Sequence, residues 1–224
     1  SMGAMGSVPA EGAMEFVSKY KNLGEKNTDS SVGVTVVTFD DVAETMDFQD
    51  AKNITHIDVR RVGEKMIPRR TTRLYDTAIE AMIEQQRKYI EIKEKITKMP
   101  YELRNLDPHI ALMFTLLTDG DDNMSHHTSK DLARHLSDHK KLYGAQCFFA
   151  AANQDALYSG QKYGFDEGNT LQIGNDIEEA RMAFRSCTNA SMRVASGVVS
   201  DSCGFTAAER EASCAVDYGD NHDN

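Results

Sequence analysis

Three polar positions in this sequence could do chemistry together. Asp119 follows the apolar run Ala111-Leu-Met-Phe-Thr-Leu-Leu-Thr118, which reads as a strand buried on both faces. Its carboxylate then sits at the carboxyl end of that strand, the edge where open α/β sheets bind ligands. Thr72 stands just before a long helical pattern, and Ser1-Met-Gly just before the first one. Two hydroxyls and a carboxylate are hard oxygen donors. They suit Mg²⁺ or Mn²⁺ with several retained waters, which leaves room for one more oxygen from a partner. Gly120 permits the sharp turn, and Asp121, Asp122 and Asn123 add oxygens or turn makers. Taken alone, the segment fits a simple capping aspartate equally well.

Other polar groups point to less. His135 and His139 lie four apart on a helical pattern, with His126-His127 nearby, and paired histidines on one face can hold zinc. No glutamate sits between them in an H-E-x-x-H arrangement. With Arg134, Lys140 and Lys141 they read as a solvated, partly basic helix face. Asp40-Asp41 reads as a strand-ending turn rather than a second cation point. Arg69, Arg70 and Arg73 flank Thr72 and offset nearby carboxylates, or meet an acidic partner. Asp119 could instead be a phosphoryl-transfer nucleophile, with Asp121 two residues on. Such a site needs a lysine and a phosphate loop at matching strand tips, and the sequence has neither G-x-x-x-x-G-K-[ST] nor G-x-S-x-G.

The elements that must position these residues are legible from periodicity. Residues 8–21 read as a helix with Pro9 in the first turn and Ala13, Phe16, Val17 and Tyr20 on one face. Residues 32–39 read as a buried strand and 43–60 as a weaker hairpin. A long helix is expected over 74–98, with a charged second half that projects over solvent. The central strand 110–118 follows. Thr128 and Asp131 form a capping box for a helix ended by Gly144. A strand over 145–152, a helix over 153–163, an edge-like strand over 170–173 and a last helix capped by Asn175 or Asp176 complete the pattern. This alternation calls for parallel strands with helices on both faces. The chain opens with a helix, so the strand that should feed it is missing from the sequence.

Composition narrows the classes. The 224 residues suit one α/β domain with a tail, and 40% hydrophobic residues suffice for a core. Thirty-five acids against 25 bases give a net charge of -10, which excludes nucleic acid as a natural partner. Cys147 and Cys187 lie in apolar runs, and no cysteine pair has zinc or redox spacing, so a reducing, cytoplasmic setting is expected. No run is long enough to span a membrane, and Ser1-Met-Gly-Ala-Met-Gly lacks the parts of a signal peptide.

Several stretches resemble the von Willebrand factor A domain, closest to its bacterial-type intracellular members. Ser1-Met2-Gly3 resembles the end of the family's D-x-S-G-S-M-G motif, as if the chain starts inside it. Glu11-Gly-Ala-Met-Glu-Phe-Val17 is similar to the first-helix pattern, and Val34-Thr-Val-Val-Thr-Phe-Asp40 to the second strand. Thr72-Arg-Leu-Tyr-Asp-Thr-Ala78 resembles T-x-L-Y-D-A, and Leu117-Thr-Asp-Gly-Asp-Asp-Asn123 resembles T-D-G-x-x-N. Cys147-Phe-Phe-Ala-Ala-Ala-Asn-Gln-Asp155 is similar to a later F-x-G-A-N-Q-D stretch. Each piece is weak alone; together, in the right order, they cover residues 1–196.

The resemblance implies a three-layer α/β/α sandwich, Rossmann-like, with a mostly parallel sheet and one antiparallel hairpin strand. It also implies a metal-ion-dependent adhesion site with Ser1, Thr72 and Asp119 as ligands to Mg²⁺ or Mn²⁺. The family's leading aspartate and first serine have no counterpart here, so two of its five ligand positions are missing. Either the sequence starts within the motif, or Ser1-Met2 is a cloning remnant without meaning. The expected function is protein binding, without catalysis, through a cation that accepts a glutamate or aspartate from the partner. The alternatives are a metal-independent scaffold domain with a degenerate site, or the phosphoryl-transfer enzyme using Asp119. Residues 1–196 are the expected domain and 197–224 a flexible tail.

Overall fold

The computed structural model describes residues 6–27, 30–66, 72–104, 108–152, 155–197 and 204–214. In chain order the elements are α1 (Val8–Lys26), β1 (Val34–Phe39), β2 (Ala43–Phe48), α2 (His56–Lys65), α3 (Leu74–Thr97), α4 (Tyr101–Arg104), β3 (Met113–Thr118), α5 (Ser129–Tyr143), β4 (Gln146–Ala152), α6 (Ala156–Tyr163), β5 (Thr170–Ile173), α7 (Ile177–Ala195) and α8 (Ala207–Ser213). The protein is a mixed α/β fold. β3, β4 and β5 form a parallel sheet in that order, and β1 and β2 form a separate antiparallel pair.

The middle strand β4 is apolar along its length because both its faces are covered. Cys147, Phe149 and Ala151 join a cluster with Leu74, Met82, Leu132 and Leu136 of α3 and α5. Phe148, Ala150 and Ala152 join another with Ala183, Phe184 and Cys187 of α7. This two-sided burial is what an unbroken hydrophobic run demands of a parallel strand. A third cluster gathers Val17 and Tyr20 of α1 with Val34, Ala51, Ile54 and Val62.

No ladder joins β1 to β3 among the described residues. Both strands instead lean on α3. Lys88 donates to Thr35 Oγ1 at 3.1 Å and pairs with Asp47 across β1 and β2. Leu112 O accepts from Gln146 N on the β4 side, so alternation turns the Met113 carbonyl to the opposite edge. Gln85 Nε2 donates to that carbonyl at 2.8 Å. A side chain therefore satisfies part of an edge that another strand would otherwise cover.

Two expectations change. Only the first half of 43–60 is strand. Residues 56–65 are helix α2, started by a complete capping box in which the Thr55 hydroxyl and the Asp58 carboxylate serve each other's backbone. The Thr55-x-x-Asp58 spacing is a helix start, whereas Ile54 and Ile57 supply apolar points for the expected hairpin. Ile54 is buried, whereas Ile57 points outward at 69% exposure. Within the stretch expected as a tail, residues 204–214 carry α8. Arg193 holds it with two 2.9 Å bonds to Glu209, and Arg210 donates to Thr170 O, Glu167 O and Gly168 O. Cys203 lies outside the described residues. Cys147, Cys187 and Cys214 are free thiols, and no described helix is long and apolar enough to cross a membrane.

α1 lies against α7 at Gly12, where an added Cβ would fall 2.4 Å from the Phe184 ring. Alanine there gains about 1 kcal/mol of helix propensity, but overpacking costs about 2 kcal/mol. Gly12→Ala is expected to destabilise by about 1 kcal/mol net, read as a lower urea midpoint at unchanged slope.

Candidate functional site

Asp119 emerges half-buried at the carboxyl tip of β3. The turn around it is closed by Thr118, whose hydroxyl donates to Gly120 O at 2.8 Å and accepts from Gly120 N at 3.3 Å. The loop then runs to the start of α3 and zips to Thr72. Thr72 N donates to Asn123 Oδ1 at 2.9 Å, and Asn123 N donates to Thr72 O at 3.1 Å. Arg73 N donates to Asp40 O at 2.9 Å, which ties the same segment to the end of β1. The segment that carries Thr72 is thus tied both to the loop that follows Asp119 and to the end of β1.

The amino terminus of α3 is capped from across this loop. Arg73, at the N-cap position, makes no side-chain cap. Tyr75 N donates instead to Asp122 Oδ1 at 3.3 Å, and Asp76 N to Ser125 Oγ at 3.0 Å. These are orphan N–H groups of a helix start, satisfied by the loop that carries Asp119.

Asp76 completes the junction. Its carboxylate is 3% exposed. It accepts from the backbone N–H groups of His126 and His127 at 2.9–3.1 Å, pairs with their Nδ1 atoms at 3.2 and 2.8 Å, and accepts from Arg73 Nη2 at 3.1 Å. Burial alone would raise its pKa. The backbone N–H groups of His127 and His126, then their imidazoles, overturn that and hold the carboxyl far below the usual carboxylate range. Asp76 is an anion at every physiological pH, fixed as a staple between α3 and the loop.

Several expected sites resolve otherwise. Ser1, Arg69 and Arg70 lie outside the described residues. Arg73 faces Asp76 at 3.1 Å and Glu80 at 3.8 Å, offsetting carboxylates. Asp40 accepts from Val42 N at 2.8 Å, as a turn residue does. His139 is not on a solvated face. It is 0% exposed, between Gln85 Oε1 at 2.8 Å from Nε2 and Gln86 Nε2 at 3.2 Å from Nδ1. Gln85 gives its amide N–H to Met113 O, so its oxygen faces His139 and fixes the proton on Nε2. Both ring nitrogens are used within the fold, which removes His139 as a zinc ligand.

The sequence offered Asp122 only as an oxygen donor or turn maker, and singled out neither Asp76 nor Ser125. An acid in a helix's first turn is ordinary, because it favours the dipole there. Only the loop that folds over it makes it a junction.

The donors present fit a hard divalent cation only in part. Thr72 offers a hydroxyl that bonds to no other described residue, and Asp119 offers one carboxylate. Among the described residues, no group of three or more His, Cys, Asp or Glu side chains is arranged to hold a metal ion. Magnesium sites commonly combine one or two carboxylates with waters and a ligand oxygen, so such a pair is the protein's share of a mostly solvated ion. Compared with family models, curated proteins and solved structures, the chain matches none.

Proposed function

We propose that this protein is a von Willebrand factor A-type module that binds a glutamate or aspartate of a partner protein through Mg²⁺ or Mn²⁺. The observation that carries the reading is the reciprocal pairing of Thr72 with Asn123. It holds a hydroxyl-bearing loop beside the strand tip that bears Asp119. Thr72 and Asp119 would hold the ion, with Ser1 as the third chain ligand. When bound, the ion supplies a Lewis-acidic position for an incoming carboxylate. Asn123, Asp122 and Asp76 fix the two loops. No bond is broken, so the reading needs no catalytic base, and a cytoplasmic setting suits it.

The same reading makes the fold a three-layer α/β/α sandwich. It needs a strand that runs into α1 and pairs with β1 on one side and β3 on the other. What supports this is that the two sheets are separate among the described residues and that Gln85 reaches the Met113 carbonyl on the edge of β3 away from β4. The family's leading aspartate and first serine belong at the tip of that strand, beside Asp119.

Calorimetric titration of the full-length protein with Mg²⁺ and Mn²⁺ tests the proposal. Binding heat is expected, lost in Asp119→Ala and reduced about tenfold in affinity in Thr72→Val, with unchanged far-UV spectra. Absence of heat, or heat indifferent to Asp119→Ala, sinks the cation reading and leaves a metal-independent scaffold.

A further inference from the structure

α3 serves two environments. Through Met82 its inward stripe is core, and Tyr89 still meets Tyr143 edge-on at 5.4 Å. Beyond it, none of residues 90–99 is buried, and only Ile96 is half-buried. Yet the stripe does not stop. Ala78, Met82, Gln85, Tyr89, Ile92 and Ile96 keep alternate spacings of four and three, the seam of a helix that pairs with another helix, and Met99 follows just past the helix end.

The surroundings extend this seam into a surface. Ile92 is 42% exposed and Met99 39%. Leu142, beside Tyr143 at the end of α5, is 71% exposed. Lys93 and Lys95 occupy the positions flanking the seam, and Lys141 adjoins Leu142. A helix end without tertiary packing is marginal by itself, and exposed apolar side chains at seam spacing mark a contact.

Charge selects the occupant. A second copy laid along the seam would set lysine against lysine. The seam's flanks are basic at Lys93 and Lys95, with Glu91 and Glu94 on the outer side of the helix, in a chain whose net charge is -10. We propose that the projecting end of α3 docks an amphipathic helix of a partner protein, with apolar seam positions and acidic flanks. Ile92 and Ile96 lie about 27 and 33 Å along α3 from its start at Leu74, so this surface is independent of the cation site.

Fluorescence anisotropy with a labelled three-heptad peptide tests this, with leucine at the seam and glutamate at the flanks. Saturable binding is expected, with the same peptide bearing lysine flanks at least about tenfold weaker. Lys93→Glu with Lys95→Glu should reverse that order. Ile92→Ser with Ile96→Ser should weaken binding about tenfold without altering the far-UV spectrum, since both side chains lie outside the core. Three results overturn the proposal. They are no binding of either peptide, self-association in sedimentation that Ile96→Ser abolishes, or adsorption to vesicles of phosphatidylcholine and phosphatidylserine in equal parts while the peptides stay free.

Discussion

Asp76→Ala should lower stability by about 3 kcal/mol, the cost of removing one partner from a buried, charge-assisted network. The substitution leaves the His126 and His127 N–H groups and the Arg73 guanidinium without their shared acceptor. In a chain of this size that corresponds to a melting temperature lower by roughly 6–12 °C. Asp76→Asn should lose less, because one oxygen still serves the backbone while the amide nitrogen faces a donor. The loss has a pH signature. The folded carboxyl titrates below its unfolded value, so its contribution is complete above about pH 4 and is lost as pH falls further. Thermal melts of the two variants at neutral pH check the order. An alanine variant that melts within about 1 °C of the parent would show that the junction is held elsewhere, contrary to its 3% exposure.

Acid should weaken the fold earlier than its carboxylates do, through His139. Burial pushes this imidazole down to about 4 from 6.5. The fold therefore favours the neutral ring. Its contribution is present above about pH 6.5 and is lost as pH falls from there toward 4. The span corresponds to about 3 kcal/mol. Urea unfolding at pH 7 and pH 4, for the parent and for His139→Gln, isolates this term, because other titrations largely cancel in the difference. The parent should lose about 3 kcal/mol more than the variant. Equal losses would mean that the ring is protonated in place, and that Gln85 and Gln86 rearrange to accept it.

Periodicity made the frame legible because each long element obeys one local rule. Gly144 and Gly164 end α5 and α6 in left-handed geometry, Thr128 and Asp131 form the expected box, and β4 is buried on both faces. Asp119 at a strand tip was readable for the same reason. What escaped depends on contacts across the chain. His139 looks like a surface residue among Arg134, Lys140 and Lys141 until α3 brings Gln85 and Gln86 to it. Asp76 looks like a helix-starting acid until a loop fifty residues on donates to it. α2, started by the capping box of Thr55 and Asp58, stands where two isoleucines supply apolar points for the expected hairpin.

The alternation along β4 has a consequence for cooperativity. Neighbouring residues of one strand belong to different clusters, so opening the α7 core bares Phe148 and opening the α3–α5 core bares Phe149, and either exposes one face of the same strand. A slip of one residue would exchange the two sets rather than loosen one. The third cluster is coupled less tightly. It meets the α7 cluster through Met113, and Met192 and Ala195 of α7 pack against it, but none of its buried residues comes from β4. The protein therefore holds one unit around β4 and a second around α2 and the β1–β2 pair, and α1 joins them, with Val8 in the α7 cluster and Val17 and Tyr20 in the third.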